Sequence, residues 1–251
     1  MQTKEKLKQK LCLALDVDSS REALEIVKLM RDHVGVFKIG SHLFTKVGPK
    51  IIEDVRKLGG EVFLDLKYHD IPNTVANAVR MATRMGVYFV NIHASGGLDM
   101  MHAAVLAATS EAKDNQIRKP ILLAVTVLTS LTDRILSEEL RIKHDVLSQV
   151  VHLAELSKSA GVDGCVASPK EIVAIREACG SNFVILTPGI RPSWAAGKDD
   201  QKRTTTPAKA VNAGADYIVI GRPLIKAASP TEAARKIVEE LLQDSEYRCL
   251  F

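Results

Sequence analysis

Short apolar runs alternate with longer segments of helical periodicity along the chain. Eight of these runs are candidate β-strands, because each is rich in apolar and β-branched residues and is bounded by turn residues. The predicted strands cover residues 11–17, 36–40, 61–67, 87–93, 121–128, 162–168, 183–188 and 216–221. Nearly continuous apolar strands of this kind are typical of a parallel sheet that helices cover. The pattern therefore predicts alternating strands and helices.

Local signals mark several of the helices between these strands. Ser19 and Glu22 have the spacing of a capping box and predict the start of a helix after the first strand. Apolar residues recur at helical spacing between 135 and 160 and predict one continuous helical segment there. Gly48 and Pro49 predict a local break within the second crossover.

Eight strand and helix pairs in 251 residues predict an α/β protein with the (β/α)8 TIM barrel fold. We expect one domain over residues 1–251, in which residues 1–10 form a polar N-terminal extension. A doubly wound sheet is the alternative, but it usually has fewer strands and a GxGxxG turn after the first strand. This sequence lacks that turn, so the barrel is favoured.

Composition and charge narrow the class of protein. Hydrophobic residues make up 46% of the chain and charged residues 25%, which is typical of a globular protein. The net charge of +4 is spread along the chain, and one Trp and four Tyr offer few rings for base stacking. We therefore expect no nucleic-acid partner.

Apolar segment lengths and cysteine spacing predict a cytoplasmic location. No apolar stretch approaches the roughly 18 residues that cross a bilayer, and the N-terminal run 11–15 is too short for a signal-peptide core. No CxxC pair occurs among the four cysteines, which predicts reduced thiols rather than a zinc cage or disulfides. They are Cys12, Cys165, Cys179 and Cys249.

Charged residues interrupt the predicted strands near their carboxyl ends, where barrels of this kind hold their active sites. Asp16 closes the first strand, Lys38 lies in the second, and Asp65 and Lys67 close the third. Strand alternation places Asp65 and Lys67 on the inward face, roughly 7 Å apart along the chain. Structural ion pairs are an alternative, but clustering at the barrel mouth favours catalysis. Asp70 follows in the next loop.

Glycine and arginine follow the last two predicted strands. Gly189 and Arg191 come after the seventh strand, and Gly221 and Arg222 come after the eighth. Barrels frequently bind phosphate at these positions through loop amides and an arginine. The sequence therefore predicts an anion site there, and the long polar loop 191–207 is a candidate lid.

Two histidines near the charged residues raise the alternative of a metal site. His69 follows the third strand and His93 ends the fourth. Neither has the HxH or HxxxH spacing of a ligand pair, so we expect hydrogen-bonding or packing roles. No G-x-S-x-G elbow indicates a serine nucleophile.

The segment DLKYHDIPNT, from Asp65 to Thr74, resembles the signature of the orotidine 5'-phosphate decarboxylase family. Six further segments resemble the same family, so that the likeness spans the chain. They are LALDV with Asp16, FKIG with Lys38, VNIHASGG at 90–97, AVTVLTS at 124–130, TPGIRP and IVIGRP. The chain is most similar to the bacterial monofunctional type.

This resemblance implies conversion of orotidine 5'-phosphate to uridine 5'-phosphate and carbon dioxide, the last step of pyrimidine nucleotide synthesis, without a metal or organic cofactor. It implies that Lys67 protonates C6 of the pyrimidine, and that Lys38, Asp65 and Asp70 complete a network of alternating charge. Asp70 is expected to reach the site of the neighbouring subunit in a homodimer.

The resemblance also implies which residues hold the nucleotide. They are Asp16, Lys38 and Thr74 for the ribose hydroxyls, Thr129 and Ser130 for the base edge, Arg191, Gln201, Gly221 and Arg222 for the phosphate, and Ile71 as a further substrate contact.

Two other functions are compatible with the same residues. One is a magnesium-dependent sugar-phosphate decarboxylase or aldolase of the same barrel superfamily, which would use Asp16 and Asp65 around the metal. The other is a barrel that only senses or stores a phosphorylated ligand, which would leave the inward Lys and Asp residues without a role.

Overall fold

The computed structural model describes residues 2–195 and 205–248, and its eight parallel strands close into a barrel in sequence order. This confirms the predicted (β/α)8 fold. The strands are β1 Leu11–Ala14, β2 Val36–Gly40, β3 Glu61–Tyr68, β4 Phe89–His93, β5 Ile121–Val125, β6 Gly164–Val166, β7 Val184–Thr187 and β8 Tyr217–Ile220. Most are shorter than predicted, because the predicted runs extend into the loops at one or both ends of the strands.

Helices surround the barrel. They are α1 Gln2–Gln9, α2 Ser20–Met30, α3 Ser41–Val47, α4 Lys50–Lys57, α5 Pro72–Arg84, α6 Gly97–Asp114, α7 Val146–Ser159, α8 Ile172–Cys179, α9 Pro207–Ala213, α10 Arg222–Ile225 and α11 Pro230–Arg248. Short 3-10 segments lie at Ala94–Gly96 and Ser193–Ala195.

The local signals for α2, α3 and α4 are confirmed. Ser19 caps α2, and its Oγ accepts a hydrogen bond from the backbone N–H of Glu22 at 3.2 Å. Gly48 has a φ of 75° between α3 and α4, where a residue with a Cβ would be strained. Helix α1 lies within the predicted polar extension, and its Leu7 is buried in the core.

Residues 135–160 do not form the single helix that their periodicity predicts. A π-helical turn covers Ile135–Glu139, and Arg141 then has a φ of 60°. Helix α7 starts afresh because Asp145 caps it, accepting a hydrogen bond from the backbone N–H of Ser148 at 2.7 Å. The prediction was wrong because the spacing of apolar residues does not indicate a helix cap within the periodic segment.

Alternate residues of each strand pack into two separate cores. Outward side chains such as Leu13 and Leu64 pack against the helices. Inward side chains fill the barrel axis: Cys12, Ala14, Val36, Phe63, Phe89, Leu123, Leu186 and Val219, with Tyr88 and Tyr217 against them. The ring centroids of Phe63 and Phe89 are 5.7 Å apart, and those of Phe89 and Tyr217 are 4.8 Å apart. This packing leaves space for polar side chains towards the carboxyl ends of the strands.

Among the described residues, no helix has the length and apolar character to cross a membrane. Cys12, Cys165 and Cys179 are buried free thiols. Burial raises the pKa of Cys12 and of Cys165, so both thiols stay protonated. Cys249 lies outside the described residues.

Candidate active site

The carboxyl end of β3 departs from a regular strand. Leu64 pairs with Val90 of β4, and Tyr68 pairs with Ile92. The three residues 65–67 of β3 therefore lie opposite the single residue Asn91 of β4. Lys67 has a φ of 53°, a left-handed conformation that is uncommon outside glycine. This is a β-bulge, which re-aims side chains next to active sites in many sheets. Regular alternation therefore does not explain how Asp65 and Lys67 come together.

Four charged side chains from β2, β3 and the loop after β1 meet at the barrel mouth. The Nζ of Lys67 lies 2.6 Å from Oδ1 of Asp65, and the Nζ of Lys38 lies 3.3 Å from Oδ2 of the same carboxylate. Lys38 also lies 3.4 Å from Oδ1 of Asp16. The structure thus brings Asp16, Lys38, Asp65 and Lys67 together in an alternating row of charge, which we call the charged row.

Burial and charge act against each other in this row. The side chains of Asp65 and Lys38 are 12% and 13% exposed, whereas those of Lys67 and Asp16 are 36% and 60% exposed. Burial opposes ionisation of Asp65, but attraction to Lys38 and Lys67 outweighs it and lowers the pKa of Asp65. Burial likewise opposes the charge on Lys38, and attraction to Asp65 and Asp16 outweighs it and raises the pKa of Lys38. Both buried groups are therefore charged at neutral pH.

The lowered pKa of Asp65 predicts an acid-sensitive contribution to stability. A carboxyl whose pKa is lower in the folded chain stabilises it above the ordinary Asp value, about 3.9, and this contribution is lost as the pH falls through the folded value. We expect the free energy of unfolding in urea to decline less steeply between about pH 5 and 3 in Asp65→Asn than in the native chain. Exposed Asp114 of α6 offers a control, since Asp114→Asn should keep the native slope. Equal slopes for the native chain and Asp65→Asn would contradict the assignment.

A cavity of about 260 Å³ opens above the charged row. Apolar side chains such as Phe63 and Leu186 line part of its wall. Its polar lining contains most of the predicted catalytic and substrate-binding residues: Asp16, Lys38, Asp65, Lys67, Thr129, Arg191, Gly221 and Arg222. One cavity therefore combines the charged row with both predicted anion loops.

The other predicted site residues do not line this cavity. Asp70, Ile71, Thr74 and Ser130 are exposed, and Gln201 lies outside the described residues. Asp70 accepts a hydrogen bond from the backbone N–H of Ile71 at 2.7 Å. In the described part of the chain, no ion pair joins Asp70 to Lys67.

Asn91 is a site residue that the sequence analysis missed. It is fully buried in β4 and hydrogen-bonded to both Asp65 and Lys67. A signal for it exists, because Asn91 is a polar residue in an apolar strand and alternates with the inward-facing Phe89. A buried polar side chain needs partners, so its position should have placed it beside the charged row.

The rings of His69 and His93 stack beside the charged row, with centroids 5.3 Å apart. Burial and the neighbouring His69 lower the pKa of His93, so its ring is neutral at neutral pH and adds no charge beside Lys67. Among the described residues, no group of three or more His, Cys, Asp and Glu side chains is placed to hold a metal ion.

Residues 9–237 match the model of the orotidine 5'-phosphate decarboxylase / HUMPS family. The chain belongs to this family. It is 52% identical to the orotidine 5'-phosphate decarboxylase of Syntrophomonas wolfei over 93% of this chain and 98% of the relative. It is 53% identical to that of Trichlorobacter lovleyi over 96% of this chain and 98% of the relative.

Solved structures of the family share the fold. The crystal structure of orotidine 5'-phosphate decarboxylase from Lactobacillus acidophilus is similar to this chain with a TM-score of 0.82 and 35% identity, over 92% of this chain and 98% of that one. The enzyme from Pyrococcus horikoshii gives a TM-score of 0.71 and 26% identity over 92% and 99%. The similarity therefore covers the whole barrel.

Proposed function

We propose that this protein decarboxylates orotidine 5'-phosphate to uridine 5'-phosphate and carbon dioxide, the last step of pyrimidine nucleotide synthesis. The observation that carries the proposal is the contact of the Lys67 ammonium with the buried Asp65 carboxylate inside the cavity. Membership of the decarboxylase family and the names of its relatives support the same reaction. We also propose that the protein is cytoplasmic and that residues 1–251 form one domain.

Lys67 is the proposed acid. When the bond from C6 to the carboxylate breaks, carbon dioxide leaves and the electron pair stays on C6, in the plane of the ring. The π-system cannot absorb this pair, so the site has to stabilise a localised negative charge. An ammonium fixed by Asp65 does so without the reorganisation that water would need. Lys67 then transfers a proton from Nζ to C6, which completes uridine 5'-phosphate.

Asp65 has a second proposed effect. Its carboxylate is held beside Lys67 and, in the complex, would lie near the substrate carboxylate. Repulsion between the two negative charges is relieved when carbon dioxide leaves. We assign the larger share of catalysis to Lys67, because only the cation gains interaction energy as the carbanion forms.

The phosphate of the nucleotide is anchored by the loops after β7 and β8. Arg191 and Arg222 line the cavity and offer guanidinium groups to the phosphate. An added Cβ at Gly221 would lie 3.4 Å from Cβ of Ala14 and 3.5 Å from Oδ2 of Asp16. These are ordinary contact distances, and they place the Gly221 backbone close to the proposed ribose contact of Asp16. We propose Gln201 as a further phosphate ligand from the resemblance.

The phosphate anchor predicts a specific loss of affinity. Arg222→Ala should weaken uridine 5'-phosphate binding by about 1.5–3 kcal/mol, the usual range for a hydrogen bond to a charged group, and calorimetric titration measures it. Binding of uridine, which lacks the phosphate, should not change. Arg21→Ala is the control, since Arg21 lies on α2 with an 89% exposed side chain. An equal loss for uridine and its phosphate would show that Arg222 is not the anchor.

We propose that the working unit is a homodimer in which Asp70 completes the partner's site. Asp70, Ile71 and Thr74 lie on an exposed stretch directly after β3, and Ile71 is 67% exposed despite its apolar side chain. A second copy that covers this stretch would bury Ile71 and bring a carboxylate to the open side of Lys67. The cation would then be held between two carboxylates.

One assay separates the possible functions. The protein is incubated with orotidine 5'-phosphate, and the change in pyrimidine absorbance is followed with and without a chelator. The proposal expects turnover that the chelator leaves unchanged. Turnover lost to the chelator and restored by magnesium would favour a metal-dependent relative, and nucleotide binding without turnover would indicate a sensor or storage protein.

A further inference from the structure

Asn91 uses both ends of its side-chain amide within the charged row. Its Nδ2 donates a hydrogen bond to Oδ1 of Asp65 at 2.7 Å, and its Oδ1 accepts one from the backbone N–H of Lys67 at 2.8 Å. A backbone N–H can only donate, which fixes the orientation of the amide. Asn91 is fully buried and is not among the residues that line the cavity.

Asn91 also lies where the regular pairing between β3 and β4 is interrupted. Residues 65–67 bulge opposite it, and Lys67 takes a left-handed conformation that regular pairing with β4 would not allow. In a regular parallel ladder, backbone carbonyls accept from backbone N–H groups. At this bulge the Asn91 side chain accepts from Lys67 instead. Asn91 therefore stabilises both the bulge and the short contact between Lys67 and Asp65.

We infer that Asn91 is a positioning residue for the decarboxylation: by binding the Asp65 carboxylate and the Lys67 backbone at once, it holds the acid and its counterion at reacting distance. This inference rests on the proposed function, since it assigns Asn91 a role in that same reaction. Asn91 acts through Asp65 and Lys67 and does not touch the substrate. A purely structural asparagine would affect folding but would leave the activity of the folded fraction unchanged.

Removing the amide tests the inference first. Asn91→Ala should lower kcat roughly 10²-fold, because a displacement of about 1 Å at reacting groups has an effect of that size. The affinity for uridine 5'-phosphate should change little, since Asn91 lies behind the cavity wall. Rates are normalised to the folded fraction measured by circular dichroism. Ser157→Ala is the control, because it removes another buried polar group, on α7, away from the site.

Asn91→Asp gives a pH-dependent test of the same role. The new carboxylate keeps an acceptor for the Lys67 N–H but faces Asp65 without a proton to donate. Two close carboxylates resist ionising together, so one binds a proton as the pH falls. The protonated group can then donate, which restores the native bonding pattern. The kcat of Asn91→Asp relative to the native enzyme should therefore rise as the pH is lowered from about 8 to 6.

The outcomes separate this inference from the proposed function. If the native protein does not turn over orotidine 5'-phosphate, the proposed function fails and the role of Asn91 fails with it. If the native protein is active and Asn91→Ala keeps its kcat per folded molecule, only the inference is overturned. If Asn91→Ala does not fold, the pH dependence of Asn91→Asp decides, and a ratio that stays flat overturns the inference.

Discussion

Lys67→Ala is expected to lose nearly all turnover of orotidine 5'-phosphate while still binding uridine 5'-phosphate. The variant lacks both the cation that stabilises the C6 carbanion and the proton that quenches it. Removing one such electrostatic contact or a general acid each lowers rates by about 10²–10⁴-fold, so a loss of at least about 10³-fold is expected. Steady-state rates and calorimetric titration with the product measure the two effects separately.

The matched control for this variant is Lys57→Ala. Lys57 lies on α4, pairs with Glu53, and has a side chain that is 66% exposed. Exposed ion pairs contribute little to stability, so Lys57→Ala should keep native activity and fold. If Lys67→Ala retained native activity, Lys67 would not be the acid, and the proposed chemistry would have to be abandoned.

Mixed dimers are expected to recover activity from two inactive parents. In the proposed dimer each site uses its own Lys67 and the partner's Asp70. When Asp70→Ala and Lys67→Ala subunits are mixed equally, random pairing gives hybrids in half of the dimers. Each hybrid has one complete site and one that lacks both groups. The mixture should therefore reach about a quarter of native activity by two-fold symmetry.

A double variant provides the control for this exchange. Subunits that carry both Lys67→Ala and Asp70→Ala form no complete site with a native partner, so mixing them with native protein should lower its activity. Native mass spectrometry shows whether hybrids have formed. Hybrids that form and stay inactive would place Asp70 in the site of its own chain.

The barrel could be predicted from the sequence because each strand and helix has its own local pattern, and this pattern repeats along the chain. The bounds of β2 agree with the apolar run at 36–40, and Ser19 marks the start of α2 through its cap. Residues 135–160 show the limit of this reasoning. Their apolar stripe packs against one core, but the cap at Asp145 divides it, and periodicity carries no information about that division.

The charged row could also be predicted, because charges in apolar strands have few favourable places other than the barrel mouth. The distances between the charged groups of this row could not be predicted. They depend on the bulge opposite Asn91, which arises from pairing between two strands and has no periodicity of its own. Asp70 is exposed in this chain, and its proposed contact with a second copy comes from the family resemblance, since a contact between copies leaves no local pattern in the sequence.

The aromatic packing below the charged row has a consequence for product release. Among the described residues, Phe63, Phe89 and Tyr217 fill the barrel axis beneath the cavity. The cavity is therefore closed at that end. Carbon dioxide formed beside Lys67 would therefore leave towards the carboxyl ends of the strands, where the nucleotide also enters. The time that carbon dioxide spends near the fresh carbanion would then depend on how quickly it moves past the bound nucleotide.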